Sequence, residues 1–202
     1  MDLSEDTTIV EEVSRNPNHP RKGSIIKVFP LTSLKDIEKI KNHVKNNPRH
    51  FALFVLGVNT NLRASDLVRI KAGQVRNLQP MDELVLREKK TKKVRRINMN
   101  SACVDAIQKL LASQQFKDKD LIFPIRANYI HELVRTWTRK CKIEGHFGSH
   151  SLRKTWCYIQ YFHFKVPIAV LMEMLNHASE RQTLSYIGVR SEHIAATYAN
   201  KI

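Results

Sequence analysis

Residues 51–58 read Phe-Ala-Leu-Phe-Val-Leu-Gly-Val, without one charged or polar side chain. A segment apolar nearly all round its axis has no face to turn to water, so it has to be packed on every side. Asn59-Thr60-Asn61 breaks it at one end. The reading is a central helix, and 202 residues supply one sizeable core around it, or a compact domain with a small appendage. Six glycines and seven prolines are few for that length, which favours helices as the wrapping.

The flanking periodicities agree. Leu34, Ile37, Ile40 and Val44 recur at helical spacing after a start at Thr32 or Ser33, with Asp36 in the first turn and Asn46-Asn47-Pro48 as the stop. A short helix begins near Arg63. Val104, Ile107, Leu110 and Leu111 mark another after Asn100. Further helices are expected over about residues 128–141, 151–165, 168–176, 180–187 and 191–200, with Pro167 in the first position of the third. The strong strand signal lies between residues 74 and 99. Leu84-Val85-Leu86 leads into a charged tip, and Val94-Arg95-Arg96-Ile97-Asn98-Met99 returns from it, with residues 74–78 as an expected third strand. The fold class is therefore mainly α with a small antiparallel sheet (α+β). Residues 1–24, polar and poorly periodic, read as a flexible arm before one domain over residues 25–202.

Charge narrows the partner. The chain carries a formal +15, and residues 1–24 hold five acids against three bases, so the remaining 178 residues stand at +17. A folded domain that positive repels itself unless it serves a polyanion, which makes double-stranded DNA or other nucleic acid the leading partner class. No apolar run approaches the ~18 residues needed to span a bilayer. The polar, acidic N-terminus is neither a signal nor a transit peptide. Cys103, Cys141 and Cys157 form no C-x-x-C pair, which fits small buried residues in a reducing compartment, the cytoplasm.

Four pieces of the chain hold candidate chemistry, and each has an ordinary reading. Residues 87–96 contain seven bases. Such a run is usually a solvated face, but a two-stranded ribbon also fits a DNA groove while its lysines meet phosphates. His150 and Arg153, three apart at a helix start, share a face and can converge on one anion. His146 and His150 stand at metal-ligand spacing, yet no acid or cysteine clusters nearby to complete a zinc site. Leu175-Asn176-His177-Ala178-Ser179 closes an apolar helix, with Tyr186 nine residues after the histidine. Arg63 opens a short helix that also carries Asp66, the usual composition of a surface helix.

In order and interval these pieces resemble the catalytic domain of the tyrosine recombinases, the phage-type integrases, from about residue 30 to the C-terminus. The family's G-L-R-x-S-E-L motif is similar to residues 61–67, with Arg63 and Asp66 in place. Its hairpin lysine, often within K-T-G-K, is similar to Lys90 in Lys90-Thr91-Lys92-Lys93. Its H-x-L-R-[HK]-[ST] box resembles His150, Leu152, Arg153, Lys154 and Thr155, and its L-G-H-[SA]-S box resembles Leu175, His177, Ala178 and Ser179. Asn61 and Asn176 stand where the family has glycine, and asparagine can still take a left-handed turn.

The resemblance implies a catalytic set of Arg63, Lys90, His150, Arg153, His177 and Tyr186, supported by Asp66. Lys89, Lys92, Lys93, Arg95, Arg96 and Lys154 are the expected DNA contacts. It implies breakage and rejoining of DNA through a 3′-phosphotyrosyl intermediate, with no metal, ATP or other cofactor. It also implies a homotetramer on DNA, monomeric when free, with residues 191–200 packed in cis or exchanged with a neighbour. Most members carry a helical DNA-holding domain ahead of the catalytic one. Short members such as the fimbrial phase-variation invertases lack it, so the chain reads either as one of these or as the catalytic part of a longer protein. The alternatives are a non-catalytic DNA-binding module and strand relaxation of the type IB topoisomerase kind.

Overall fold

The computed structural model describes residues 28–90, 92–189 and 191–201. The expected arm, residues 1–24, lies outside the described residues.

Helix α1 (Leu34–Val44) starts where Ser33 Oγ accepts the Asp36 amide, and it buries Ile37, Ile40 and Val44. Leu34, assigned to the same face by its spacing, is instead 54% exposed, because a first-turn residue overhangs the core edge. The Asn47-Pro48 stop also serves as the next start. Asn47 Oδ1 accepts the His50 amide at 3.0 Å, and Pro48 opens α2 (Pro48–Asn59), a position where its missing N–H goes unneeded. Residues 52–56 of α2 are buried on every side, packed by α1, α3 (Ala64–Leu67), α5 (Ser101–Ala112) and α7 (Ser149–Phe162). The continuous apolar run thus becomes the hub that the sequence demands.

A hairpin of β1 (Glu83–Arg87) and β2 (Val94–Asn98) is the sheet, antiparallel, with Glu83 opposite Asn98 and Arg87 opposite Val94. Leu84 and Ile97 face each other across it and bury its inner face. The expected third strand is corrected: the segment holds the single turn α4 (Ala72–Val75). Ala72, Val75 and Leu78 recur at a spacing of three, which puts them on one side of a helical turn and not of a strand. Gln74 Oε1 accepts the Lys71 amide at 2.9 Å, and its Nε2 donates to the Val85 carbonyl, tying the turn to the hairpin.

The second half is helical as expected, with α6 (Ala127–Lys140), α7, α8 (Ile168–Leu175), α9 (Glu180–Ile187) and α10 (Ser191–Thr197). Pro167 caps α8 from the position before its first residue. Beside the main core, Trp156, Cys157, Leu171, Leu175 and Ile187 form a smaller one that joins α7, α8 and α9.

The approach of α7 to the hub depends on Gly57. A Cβ there would fall 2.5 Å from Leu152 Cδ1 and 3.1 Å from Leu152 Cβ. The methyl can swing away, but the Cβ cannot. Overpacking of this kind costs ~1–3 kcal/mol, against the ~1 kcal/mol that Gly→Ala gains in a helix. Gly57→Ala should therefore lower the urea midpoint in the parent and raise it in a Leu152→Ala background. Equal shifts in both backgrounds would show that the two residues do not meet.

Candidate active site

Each element end delivers one side chain to a common cup. After the break at residues 59–61, Asn61 takes φ 55°, the left-handed turn expected of an asparagine in a glycine position. That turn sets Arg63 just before α3. Arg63 Nη1 lies 2.7 Å from Glu88 Oε2 and 4.0 Å from Asp66 Oδ2. Asp66 is buried, and its Oδ1 accepts the Lys89 amide at 2.8 Å. The hairpin turn is closed by Glu88 N–H donating to the Lys93 carbonyl and Lys92 N–H donating to the Glu88 carbonyl, with Lys92 at φ 62°. Lys90 stands exposed on that turn, with Lys89 and Lys92 exposed beside it.

His150 and Arg153 come from the first turns of α7. Arg153 is only 4% exposed, although it carries a full charge. Its Nη2 donates to the Leu175 carbonyl at 3.4 Å, while Nη1 is buried with no hydrogen-bond partner among the described residues. A buried guanidinium nitrogen without an acceptor is a seat for an anion, because leaving it unfilled is costly. From the other side, α8 ends on Asn176 at φ 55°, the second left-handed asparagine in a glycine position. His177 follows. Its Nδ1 lies 3.1 Å from Thr183 Oγ1, and its ring stands edge-on to Tyr186 at 5.2 Å between centroids.

The electrostatics match one shared cup. The His150 ring keeps an exposed edge, yet desolvation of the rest lowers its pKa, followed by the fields of Arg153, Lys154, Arg63 and Lys90. His177 is lowered by burial and then by Arg153 and Arg63. Burial pushes the Tyr186 phenol up to about 12, against the opposing pull of the Arg153 and Arg63 guanidiniums. His150 therefore feels Arg63, Lys90 and Arg153, while His177 and Tyr186 each feel Arg63 and Arg153.

Two expected DNA contacts sit differently. Lys154 is 9% exposed, its ammonium donating to the Val28 carbonyl at 3.0 Å and lying 5.2 Å from the Tyr186 ring centre. It follows Arg153 in a stretch of α7, residues 151–157, that is buried throughout, so its stem runs inward. Arg95 also turns in, with Nη1 3.0 Å from Glu88 Oε1 and Nη2 donating to the Met174 carbonyl at 3.4 Å. Lys93 reaches Asn176 Oδ1 at 3.1 Å, and Arg96 stays outside, paired with Glu83 at 2.9 Å. Glu88 itself was missed: within residues 87–96 it is the lone acid among seven bases, and that isolation was the available signal. His146 packs near Phe29, at 6.3 Å between rings. Among the described residues no group of three or more His, Cys, Asp or Glu stands together as a metal site, and no helix is long and apolar enough to cross a membrane.

The phage integrase family model matches residues 31–193. The chain belongs to this family. It is 33% identical over 179 residues to the probable integrase/recombinase YoeC of Bacillus subtilis, covering 85% of this chain and 95% of that one. It is 27% identical over 191 residues to the tyrosine recombinase XerC of Caldanaerobacter subterraneus, covering 88% of this chain and 53% of that one. Among solved structures, XerA recombinase superposes with a TM-score of 0.67 at 19% identity, over 90% of this chain and 65% of that one. The catalytic domain of bacteriophage HP1 integrase superposes at 0.59 and 20% identity, over 86% and 95%. The fold is thus that of a tyrosine recombinase catalytic domain. The chain spans nearly all of YoeC but about half of XerC and under two thirds of XerA.

The histidine shifts set a pH dependence. A lowered imidazole pKa means that the unfolded chain takes up protons first. His50, His150 and His177 should therefore cost stability as pH falls below 6.5, with the loss complete once their folded-state values are passed, and have no effect above it. NMR titration should find the His150 ring below 6.5 in the free protein. A value at or above 6.5 would place His150 outside the cationic cup.

Proposed function

We propose that this chain is a site-specific DNA recombinase that cleaves and rejoins duplex DNA through Tyr186. The observation that carries the reading is the unpartnered, buried Arg153 Nη1 in a cup that also holds Arg63, His150 and His177, with the Tyr186 ring at its edge. A scissile phosphate seated there would bring its non-bridging oxygens to Arg153 and Arg63. Preorganised guanidiniums stabilise the charge that develops on those oxygens, a task that metal ions perform in other phosphoryl-transfer enzymes.

In the proposed step a bond forms between Tyr186 Oη and phosphorus as the bond from phosphorus to the 5′ oxygen breaks. The phenol proton leaves toward His150, whose lowered pKa keeps it a neutral acceptor at pH 7. Lys90 gives a proton to the departing 5′ oxygen. The 3′-phosphotyrosyl bond keeps the energy of the original ester, so reversal by a 5′ hydroxyl needs no ATP. His177 donates to a phosphate oxygen through Nε2 once the Thr183 hydroxyl turns from the Ser179 carbonyl to donate to Nδ1. The exposed Lys89 and Lys92, with Lys93 and Arg96, track the duplex backbone. Exchange between two duplexes takes four such sites, so the working form is a tetramer on DNA.

A nicked duplex, which loses its short strand on cleavage, should trap an SDS-stable protein–DNA adduct with the parent chain. Tyr186→Phe should form none; an adduct from that variant would move the nucleophile to Tyr158, Tyr161 or Tyr198. A parent chain that binds duplex but never forms the adduct would be a non-catalytic binding module. Arg153→Ala should slow adduct formation by ~10²–10³ while duplex affinity changes little, because many other cations contribute. Parent-like cleavage by Arg153→Ala would remove Arg153 from the clamp.

A further inference from the structure

Glu88 belongs to none of the motifs that assign this site, yet it makes the shortest ion pair within it. It is 7% exposed and uses both carboxylate oxygens, Oε2 on Arg63 at 2.7 Å and Oε1 on Arg95 at 3.0 Å. Buried carboxylates persist only when paired, and one held by two guanidiniums has little freedom to leave. Its place in the chain matters as much. Glu88 directly follows β1, its own amide and carbonyl close the hairpin turn, and Lys90 rides on that turn two residues later. A second carboxylate makes the reverse connection. Asp66, from the Arg63 side, accepts the amide of Lys89 on the hairpin side.

We propose that Glu88 is a positioning residue for the cleavage step. Its carboxylate holds Arg63 at the phosphate seat and, through the turn it closes, sets the distance between the arginine clamp and Lys90. Glu88 and Asp66 form a reciprocal clasp, each reaching from its own element to grip the other. Arg95 completes the device by neutralising the second oxygen and anchoring the carboxylate to the end of α8 through Met174. The inference rests on the recombinase reading above.

The test uses Glu88→Gln, which keeps the side-chain length and removes the charge, and Glu88→Asp, which keeps the charge and draws it back. Each is assayed on two nicked substrates, one with the natural 5′ oxygen at the scissile phosphate and one with sulfur in its place. A thiolate leaves without being protonated, so the sulfur substrate does not need the lysine. A displacement of about 1 Å costs on the order of 10²-fold. Glu88→Gln should therefore form adduct about 10- to 100-fold more slowly than the parent on oxygen, with a smaller but persistent defect on sulfur and unchanged duplex affinity. The part that sulfur restores reports Lys90, and the part that remains reports Arg63. Should the Gln variant fail to fold, judged by its thermal transition, Glu88→Asp should show the same pattern.

Parent-like cleavage of the oxygen substrate by both variants would overturn the assignment. So would faster cleavage, which would make Glu88 a stand-in for the phosphate that the substrate has to displace. Equal defects on both substrates would overturn the link to Lys90. If the parent itself forms no Tyr186 adduct, the recombinase reading falls and this inference falls with it, an outcome distinct from a competent parent beside an unaffected variant.

Discussion

Helix α8 ends by pointing its last carbonyls into a ring of donors, and the geometry of the site depends on that end. The last turn of any helix leaves carbonyls without intrahelical partners and carries the negative end of the macrodipole. Here Asn61 Nδ2 and Arg95 Nη2 donate to Met174, and Arg153 Nη2 donates to Leu175. Lys93 reaches the side chain of Asn176. Donors from the α2–α3 turn, the hairpin and α7 therefore meet on one helix terminus. Three of these side chains are cations that would otherwise repel one another, and the carbonyl end gives them a common negative focus. Because His177 follows Asn176 directly, the same terminus sets where the second histidine stands.

Charge balance then separates the cations held inside from those left for a ligand. Glu88 pairs Arg63 with Arg95, and Asp66 is spent on the hairpin backbone. Lys154 is satisfied by the Val28 carbonyl. Arg153 keeps one buried nitrogen with no acceptor among the described residues. The histidines respond by titrating low, so they add no further positive charge at neutral pH. A phosphate entering such a cup meets fixed guanidiniums already desolvated, where each hydrogen bond is worth more than in water.

Much of this was legible in the sequence, for reasons that individual residues make plain. The apolar run at residues 51–58 demanded a central helix, and Asn46-Asn47-Pro48 marked the stop before it, which the structure also uses as its start. The two asparagines in glycine positions are compatible with left-handed turns, and both adopt φ 55°. Residues 74–78 misled because β-branched Val75 favours a strand locally, while its spacing of three from Ala72 and Leu78 was the stronger fact. Lys154 and Arg95 sit deeper than the sequence suggests, for another reason. Charge and neighbourhood suggest a solvent-facing role, but the direction of a side chain depends on what its helix or strand packs against, and that is a tertiary property. Glu88 was hidden in the same way: one acid in a basic run looks like dilution until its two partners are brought together in space.

The two cores carry different parts of the candidate site. Arg63 stands between the buried Leu62 and Leu67 of the main core, and α7, which carries Arg153, packs on the hub through Leu152. Tyr186 sits on α9, which with α8 closes the smaller cluster of Trp156, Cys157, Leu171, Leu175 and Ile187 against the back of α7. Fewer buried apolar side chains hold that unit, and local opening follows the density of such contacts. The phenol, pushed up to about 12 by burial, is a poor nucleophile where it rests. On the recombinase reading, a rigid clamp with a more lightly packed tyrosine carrier has a physical logic: the clamp would be in place before charge develops, and the buried phenol, which shares a hydrogen bond with Arg153 at rest, would exchange that contact for the phosphate that the clamp holds.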